Sequence, residues 1–322
     1  AGTWALRRVF HVMGLSMTIS SSSIIDAYDT LRPAGAAARA MLLAAAAKKW
    51  RLPTDTLKTK NGWVIDQSGG RRASYGELAE AAARERPPSE LPLKDPKDYR
   101  IVGTNIPRLD VPAKVDGSAV FGTDITLPNM LFATVKHAPV FGSTIKSYNP
   151  ERVLARPGIE KVVPIKDDTI AVIARSTWQA MEATEELEVS YTHGPSEPAD
   201  SNTLFDLYQE ALDDPDPSLF RDDGNTQSSL ASAHARIEAV YKVPFLAHLC
   251  MEPMDCTALV SDAGVEVWVP TQANTLAHKI ASETAGVNPD KVIVHSTLIG
   301  GAFGRWAETD FVRQAVTAAK AV

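Results

Sequence analysis

The chain has 322 residues, 44% of them apolar and 22% charged, enough for one large domain or two to three small ones around a real core. That balance excludes wholesale disorder, and a net charge of −6 with 33 scattered Lys and Arg argues against nucleic acid or an anionic membrane as the main partner. The two cysteines, Cys250 and Cys256, cannot build a disulfide framework or a four-cysteine zinc or iron–sulfur site, so any redox chemistry needs an organic or metallo-organic cofactor, or another chain.

The first segment runs to about Arg84. Its strongest helical pattern covers residues 31–50, with Leu31, Ala34, Ala38, Met41, Leu42 and Ala45 on one face. Pro33 is expected in the first turn, where its missing N–H costs nothing. Residues 57–59 and 63–66 flank Asn61-Gly62, a strong hairpin signal. Ser74 with Glu77 three residues on predicts a capping box for a helix through Ala83. Pro87, Pro88, Pro92 and Pro96, then Pro107 and Pro112, read as an extended strap or linker.

From about Val111 to Tyr191 short β-rich runs dominate. Strands are expected at 119–121, 130–135, 161–165, 169–174 and 187–191, with one helix capped by Ser176 and buried through Trp178 and Met181. Strands with a helix packed on one face indicate a compact α+β domain. A polar stretch follows to Gly224, with a helix at 203–212. Beyond it, strands at 266–269 and 291–295 alternate with helices at 276–285 and 311–322. No window approaches the roughly 20 apolar residues of a membrane span, and no secretory signal is visible at the N-terminus.

Four runs could carry chemistry. Gly300-Gly301-Ala302-Phe303-Gly304-Arg305 follows the β-run 292–296, where glycines let backbone amides approach a bulky anionic or planar ligand. The run is neither GxGxxG nor a Walker loop, and a tight turn with an aromatic plug is its plain structural alternative. His248 and Glu252 stand four apart, a metal-ligand spacing on a helix, but Pro244 and Pro253 argue against a helix there and hence against a protein-held metal. Cys250 and Cys256 read as buried small apolar residues. Gln272, just past the 266–269 strand, can donate an amide hydrogen to an oxo or carbonyl group without carrying charge, or merely cap a loop. Ser20, Ser21, Ser22 and Ser23 precede the long helix, as caps or as a phosphate-holding cluster.

Further motifs surround these runs. Residues 108–122 read Arg-Leu-Asp-Val-Pro-Ala-Lys-Val-Asp-Gly-Ser-Ala-Val-Phe-Gly, preceded by Leu93-Lys94-Asp95-Pro96-Lys97-Asp98-Tyr99. Leu127-Pro128-Asn129-Met130-Leu131 and Pro157-Gly158-Ile159 follow, then His248-Leu249-Cys250-Met251-Glu252-Pro253-Met254-Asp255-Cys256-Thr257-Ala258 and Val269-Pro270-Thr271-Gln272. In this order the set resembles the molybdopterin-binding large subunit of the xanthine dehydrogenase and aldehyde oxidase family. The most similar branch is the isoquinoline 1-oxidoreductase β-subunit type, which includes bacterial aldehyde dehydrogenases. Asp255 stands where Asn is usual, Ala302 replaces the loop's third glycine, Trp306 a second Arg, and Ile19-Ser20 a Gly-Gly pair. The Cβ of Ala302 is expected to narrow the loop's close approach, and Ile19 to remove backbone freedom.

The resemblance implies an α+β fold in which portions of a molybdopterin-binding domain, residues 1–86 and 196–322, flank an inserted α/β-hammerhead domain at 111–195, with a proline-rich linker at 87–110. It implies a molybdenum hydroxylase that transfers water-derived oxygen to an aldehyde or N-heterocycle carbon. The molybdenum is held by molybdopterin, in its cytosine dinucleotide form, and not by side chains. Electrons leave through [2Fe-2S] clusters on an iron–sulfur small subunit. By the same resemblance Gln272 hydrogen-bonds an oxo group, Gly300, Gly301, Ala302, Phe303, Gly304 and Arg305 bring amides to the metal centre, and Ser21, Ser22 and Ser23 meet the cofactor's phosphate end. Implied partners are that iron–sulfur subunit, the remainder of the large subunit or a companion chain, a cytochrome c subunit and a small-molecule substrate, at the periplasmic face of a membrane. The family's general-base glutamate lies in its later half, so no catalytic residue is assigned and the chain alone is expected not to turn over. A non-catalytic relative, serving as a binding or assembly module, is the alternative.

Overall fold

The computed structural model describes residues 14–91, 93–192, 194, 200–219, 221 and 223–322. The chain divides into two compact units, Ala1–Val120 with Gln272–Thr275, and Phe121–Thr271 with Leu276–Val322.

In the first unit, helix α1 (Ser23–Trp50) begins well before Leu31, which places Pro33 in its interior and not in its first turn. Asp26 N–H donates to Ser22 O (2.9 Å), so α-type bonding is established upstream and the proline deletes only its own bond. The expected apolar face holds only at the C-terminal end. Leu31, Ala34 and Ala38 are exposed, while Leu42, Leu43, Ala46 and Trp50 pack on Leu57, Val64, Ala73 and Leu78. The reason is the size of the sheet beneath. Strands β1 (Leu57–Lys60), β2 (Trp63–Asp66) and β3 (Arg72–Ser74) form an antiparallel meander too short to cover more than the last turns. Asn61 (φ 50°) and Gly62 (φ 81°) are both left-handed, as a two-residue hairpin requires. Helix α2 (Tyr75–Ala83) carries the capping box: Glu77 N–H donates to Ser74 Oγ (3.2 Å), and Ser74 N–H to Glu77 Oε2 (2.6 Å). Residues 111–116, at the head of the stretch read as β-rich, form a short helix, α3 (Val111–Asp116), ended by Gly117 at φ 83°. The expected 119–121 strand reduces to one bridge, Phe121 with Leu298, within the second unit.

The second unit starts with an antiparallel sheet in the order β4 (Phe132–His137), β7 (Thr169–Ala174), β6 (Ile159–Lys166). A second antiparallel pair joins β5 (Ile145–Asn149) to β8 (Glu188–Tyr191), and a short helix, α4 (Glu151–Leu154), follows β5. Helix α5 (Thr177–Glu186) starts at the Ser176 cap but buries Ala180, Ala183 and Thr184. Trp178 and Met181 stay exposed, because the face turned to the protein is that of Ala180, Ala183 and Thr184 and they lie on the other. Lys136 reaches from β4 to the far end of this helix and donates to Thr184 O (3.0 Å) and Leu187 O (2.9 Å). Two polar helices, α6 (Ser201–Leu212) and α7 (Thr226–Ala231), come next.

The last sheet runs β11 (Val292–Ser296), β10 (Gly264–Val269), β9 (Thr257–Ser261), with β9 antiparallel and β11 parallel to β10. Helix α8 (Asn274–Ala285) makes the crossover that a parallel pair needs. Helix α9 (Asp310–Lys320) packs on this sheet and on the β4–β7–β6 sheet. Between them sits the main core: Val265, Val267, Val269, Ala277, Trp306, Phe311 and Val312. The class is α+β. No helix among the described residues is long and apolar enough to cross a membrane.

Candidate functional site

Strand β11 ends at Ser296, and the chain turns through residues 297–304 into a single 3-10 turn, Arg305–Ala307. Left-handed backbone at Gly301 (φ 98°), Phe303 (φ 51°) and Gly304 (φ 93°) makes this turn tight. The glycines adopt it freely, whereas Phe303 is held there at about 1–2 kcal/mol. Phe303 is 68% exposed, so the aromatic plug of the turn is Trp306, which is fully buried.

Four of the five carbonyls of the 300–304 loop are matched. Gly300 O accepts from Glu252 N–H (3.0 Å), Gly301 O from the Trp306 indole N–H (2.8 Å), Ala302 O from Arg305 N–H (2.9 Å) and the Cys250 thiol (3.5 Å), and Gly304 O from Ala307 N–H (3.1 Å). The amides are not. Gly300 N–H donates to Glu252 Oε2 (2.6 Å), but those of Gly301, Ala302, Phe303 and Gly304 have no acceptor among the described residues. Ala302 packs against the main core. Arg305 is paired with both oxygens of Asp310 (2.8 and 2.7 Å), which fastens the loop to α9. Thr271 Oγ1 donates to Trp306 O (3.1 Å).

Glu252 and Asp255 lie behind the loop. Glu252 is 7% exposed, and its Oε1 accepts from Gly122 N–H (2.9 Å) while Oε2 takes Gly300. It joins two backbone turns far apart in the chain, a role that no local pattern signals. Among the described residues neither of the buried carboxyl oxygens of Asp255 has a partner. Burial first, and then the charge of Glu252, push its carboxyl up to about 7. Beside the loop's end an open cavity of about 820 Å³ is lined by His137, Phe141, Ser143, Asp168, His248, Arg305, Glu308 and Asp310. Among the described residues no group of three or more His, Cys, Asp or Glu could hold a metal ion.

In the first unit, Gln272 and the serine run are brought together. Thr18 N–H donates to Gln272 O (2.8 Å) and Gln272 Nε2 to Thr18 O (2.7 Å). Gln272 Oε1 is buried with no partner among the described residues. Next to Thr18, Ser20 (φ 52°) and Ser21 (φ 54°) are left-handed, so backbone freedom is demanded there and not at Ile19. Ser22 stands at the N-cap of α1 without capping it, since its hydroxyl donates to Ile19 O (2.7 Å).

Residues 212–322 match the molybdopterin cofactor-binding domain family. The chain is 29% identical, over 92% of its length, to the β-subunit of isoquinoline 1-oxidoreductase from Brevundimonas diminuta, of which it covers 43%. It is 28% identical, over 99% of its length, to the membrane-bound aldehyde dehydrogenase (pyrroloquinoline-quinone) of Gluconacetobacter polyoxogenes, of which it covers 44%. A nicotinate dehydrogenase subunit of Pseudomonas putida is 29% identical over 95% of this chain, which covers 26% of that protein. The chain thus spans less than half the length of these curated relatives. Among solved structures, the aldehyde oxidoreductase of Desulfovibrio desulfuricans matches with a TM-score of 0.53 at 20% identity, over 71% of this chain and 30% of that one. Quinoline 2-oxidoreductase of Pseudomonas putida 86 matches at 0.51 and 16%, over 68% and 33%. These two establish likeness of fold alone.

Proposed function

We propose that the chain, which is similar to molybdopterin-binding large subunits of the xanthine dehydrogenase and aldehyde oxidase family, forms part of a molybdenum hydroxylase oxidising an aldehyde or an N-heterocycle with water-derived oxygen. The observation that carries this reading is the row of four amide N–H groups at residues 301–304 that have no acceptor among the described residues, in a loop with four of its five carbonyls matched and its ends pinned. Such a row suits an anionic or oxo-bearing group. Gln272 fits as well, with a buried orphan Oε1 and a second amide hydrogen beyond the one given to Thr18. Ser21 and Ser23, at the start of α1, offer hydroxyls and a helix N-terminus to a phosphate, whereas Ser22 has committed its hydroxyl to Ile19.

The bound group supplies redox-active molybdenum for a two-electron oxidation. The chain's own residues bind and orient it. Glu252 does not act as a base in this reading, since each of its oxygens already accepts a backbone N–H. A general base then comes from a companion segment, and the chain alone does not turn over. The cytosine dinucleotide form of the cofactor, [2Fe-2S] clusters on a small subunit, a cytochrome c partner, a periplasmic site and the hammerhead assignment of residues 111–195 belong to the same proposal.

The test is to produce the chain with cofactor-insertion machinery and measure molybdenum and molybdopterin per polypeptide. Near-stoichiometric content is expected. Protein that stays metal-free and cannot be loaded overturns the reading and favours a non-catalytic binding or assembly module.

A further inference from the structure

Gly122 is approached by two carboxyl groups at once. Its N–H is held by Glu252 Oε1 (2.9 Å), and a Cβ built on it would fall 2.1 Å from Asp255 Oδ1 and 2.6 Å from the Pro270 ring. Glu252 is satisfied by the amides of Gly122 and Gly300 and joins the two turns. Asp255, three residues on, has neither a donor for its oxygens nor a cation beside it among the described residues. The groups that bear on it are acidic, Glu252 from its own segment and Asp124 from the Gly122–Asp124 turn, with the buried Cys256 thiol next in the chain. Asp124 has a donor of its own, Phe121 N–H (2.9 Å). A charge on Asp255 is therefore uncompensated, whereas a protonated Asp255 has an acceptor at hand in Glu252.

We propose that Asp255 is a positioning residue for the 300–304 loop: as a neutral carboxylic acid it fills the space beside Gly122 and keeps Glu252 in its two backbone bonds, and losing its proton loosens both turns. This concerns the chain's own residues and goes beyond the cofactor reading, so it stands or falls independently of what the loop binds. Burial and the Glu252 charge hold Asp255 at about 7, against 3.8 for an ordinary aspartate. A raised acid favours the closed state fully below the ordinary value. Opening, which releases the proton, becomes easier from about pH 4 upward, and the loss is complete above about pH 7. Asparagine at 255 has the same shape and an amide N–H₂ to offer Glu252, with no proton to lose.

The experiment is amide hydrogen exchange on the full chain, followed for the peptides that contain Gly122 and Gly300 and corrected for the intrinsic pH dependence of exchange. Between pH 4.5 and 7 the wild-type protection is expected to fall by about ten- to a hundred-fold and then level off. In Asp255→Asn it should stay flat, at or above the low-pH wild-type level. A flat wild-type profile, or an Asp255→Asn profile that falls like the wild type, overturns the proposal. Should that variant not fold, the ¹³C resonance of the Asp255 carboxyl in wild-type protein decides: a midpoint near 7 supports it, and one in the ordinary aspartate range defeats it.

Discussion

Replacing Trp306 by alanine tests the account of the loop most severely. The side chain is fully buried, stands edge-on to Phe311 (5.0 Å, 80°), and donates its indole N–H to Gly301 O. Emptying a buried aromatic site costs about 3–5 kcal/mol, and the lost hydrogen bond adds about 1 kcal/mol. The sum, about 4–6 kcal/mol, corresponds to a fall in Tm of on the order of 10–20 °C for a domain of this size. Trp306→Phe keeps most of the packing and loses the N–H, so about 1–2 kcal/mol is expected. Thermal unfolding followed by near-ultraviolet circular dichroism, together with urea titration, measures both. An alanine variant that loses less than about 2 kcal/mol, or a phenylalanine variant as unstable as the alanine one, would refute the view that Trp306 anchors the loop.

Gly264→Ala should abolish soluble protein, because φ is 146° and the new Cβ would lie 2.1 Å from the Lys291 carbonyl oxygen; recovery in the soluble fraction reports it. Ser74→Ala removes one side of the capping box and should lower stability by about 1 kcal/mol in urea titration, with α2 fraying first by amide exchange. Lys136→Met strips the end of α5 of two charge-assisted donors and should cost about 1.5–3 kcal/mol, read as a lower urea midpoint with unchanged slope.

Local chemistry is what the sequence makes legible. Asn61-Gly62 and the Ser74–Glu77 box appear as expected because turn dihedrals and caps are settled within four residues. The strands at β7 and β10 are close to their apolar runs for the same reason. Burial cannot be read from side-chain size alone. Trp178 and Met181 are exposed because α5 turns its Ala180, Ala183 and Thr184 face inward, and which face turns inward is a tertiary fact. Pro33 misleads as a start signal, since a proline removes one bond and α1 has already begun. At the site, the glycine-rich turn and Gln272 are visible as motifs. The roles of Glu252, Asp255 and Trp306 are not, because each acts through a partner distant in the chain, Gly122, Gly300 or the core.

The sheet of β9, β10 and β11 with its crossover helix comes from one continuous stretch, residues 257–296, so its contacts close over short loops. The bond from Gly122 to Glu252 instead spans 130 residues. Loop-closure entropy grows with separation, and long-range contacts form late. During refolding the sheet should therefore gain amide protection first, and the amide of Gly122 only when the β4–β7–β6 layer docks through α9. The turn that Glu252 ties to Gly122 is thus expected to form late, so a mutation or a nascent-chain pause that delays docking should leave a folded sheet with that turn unformed.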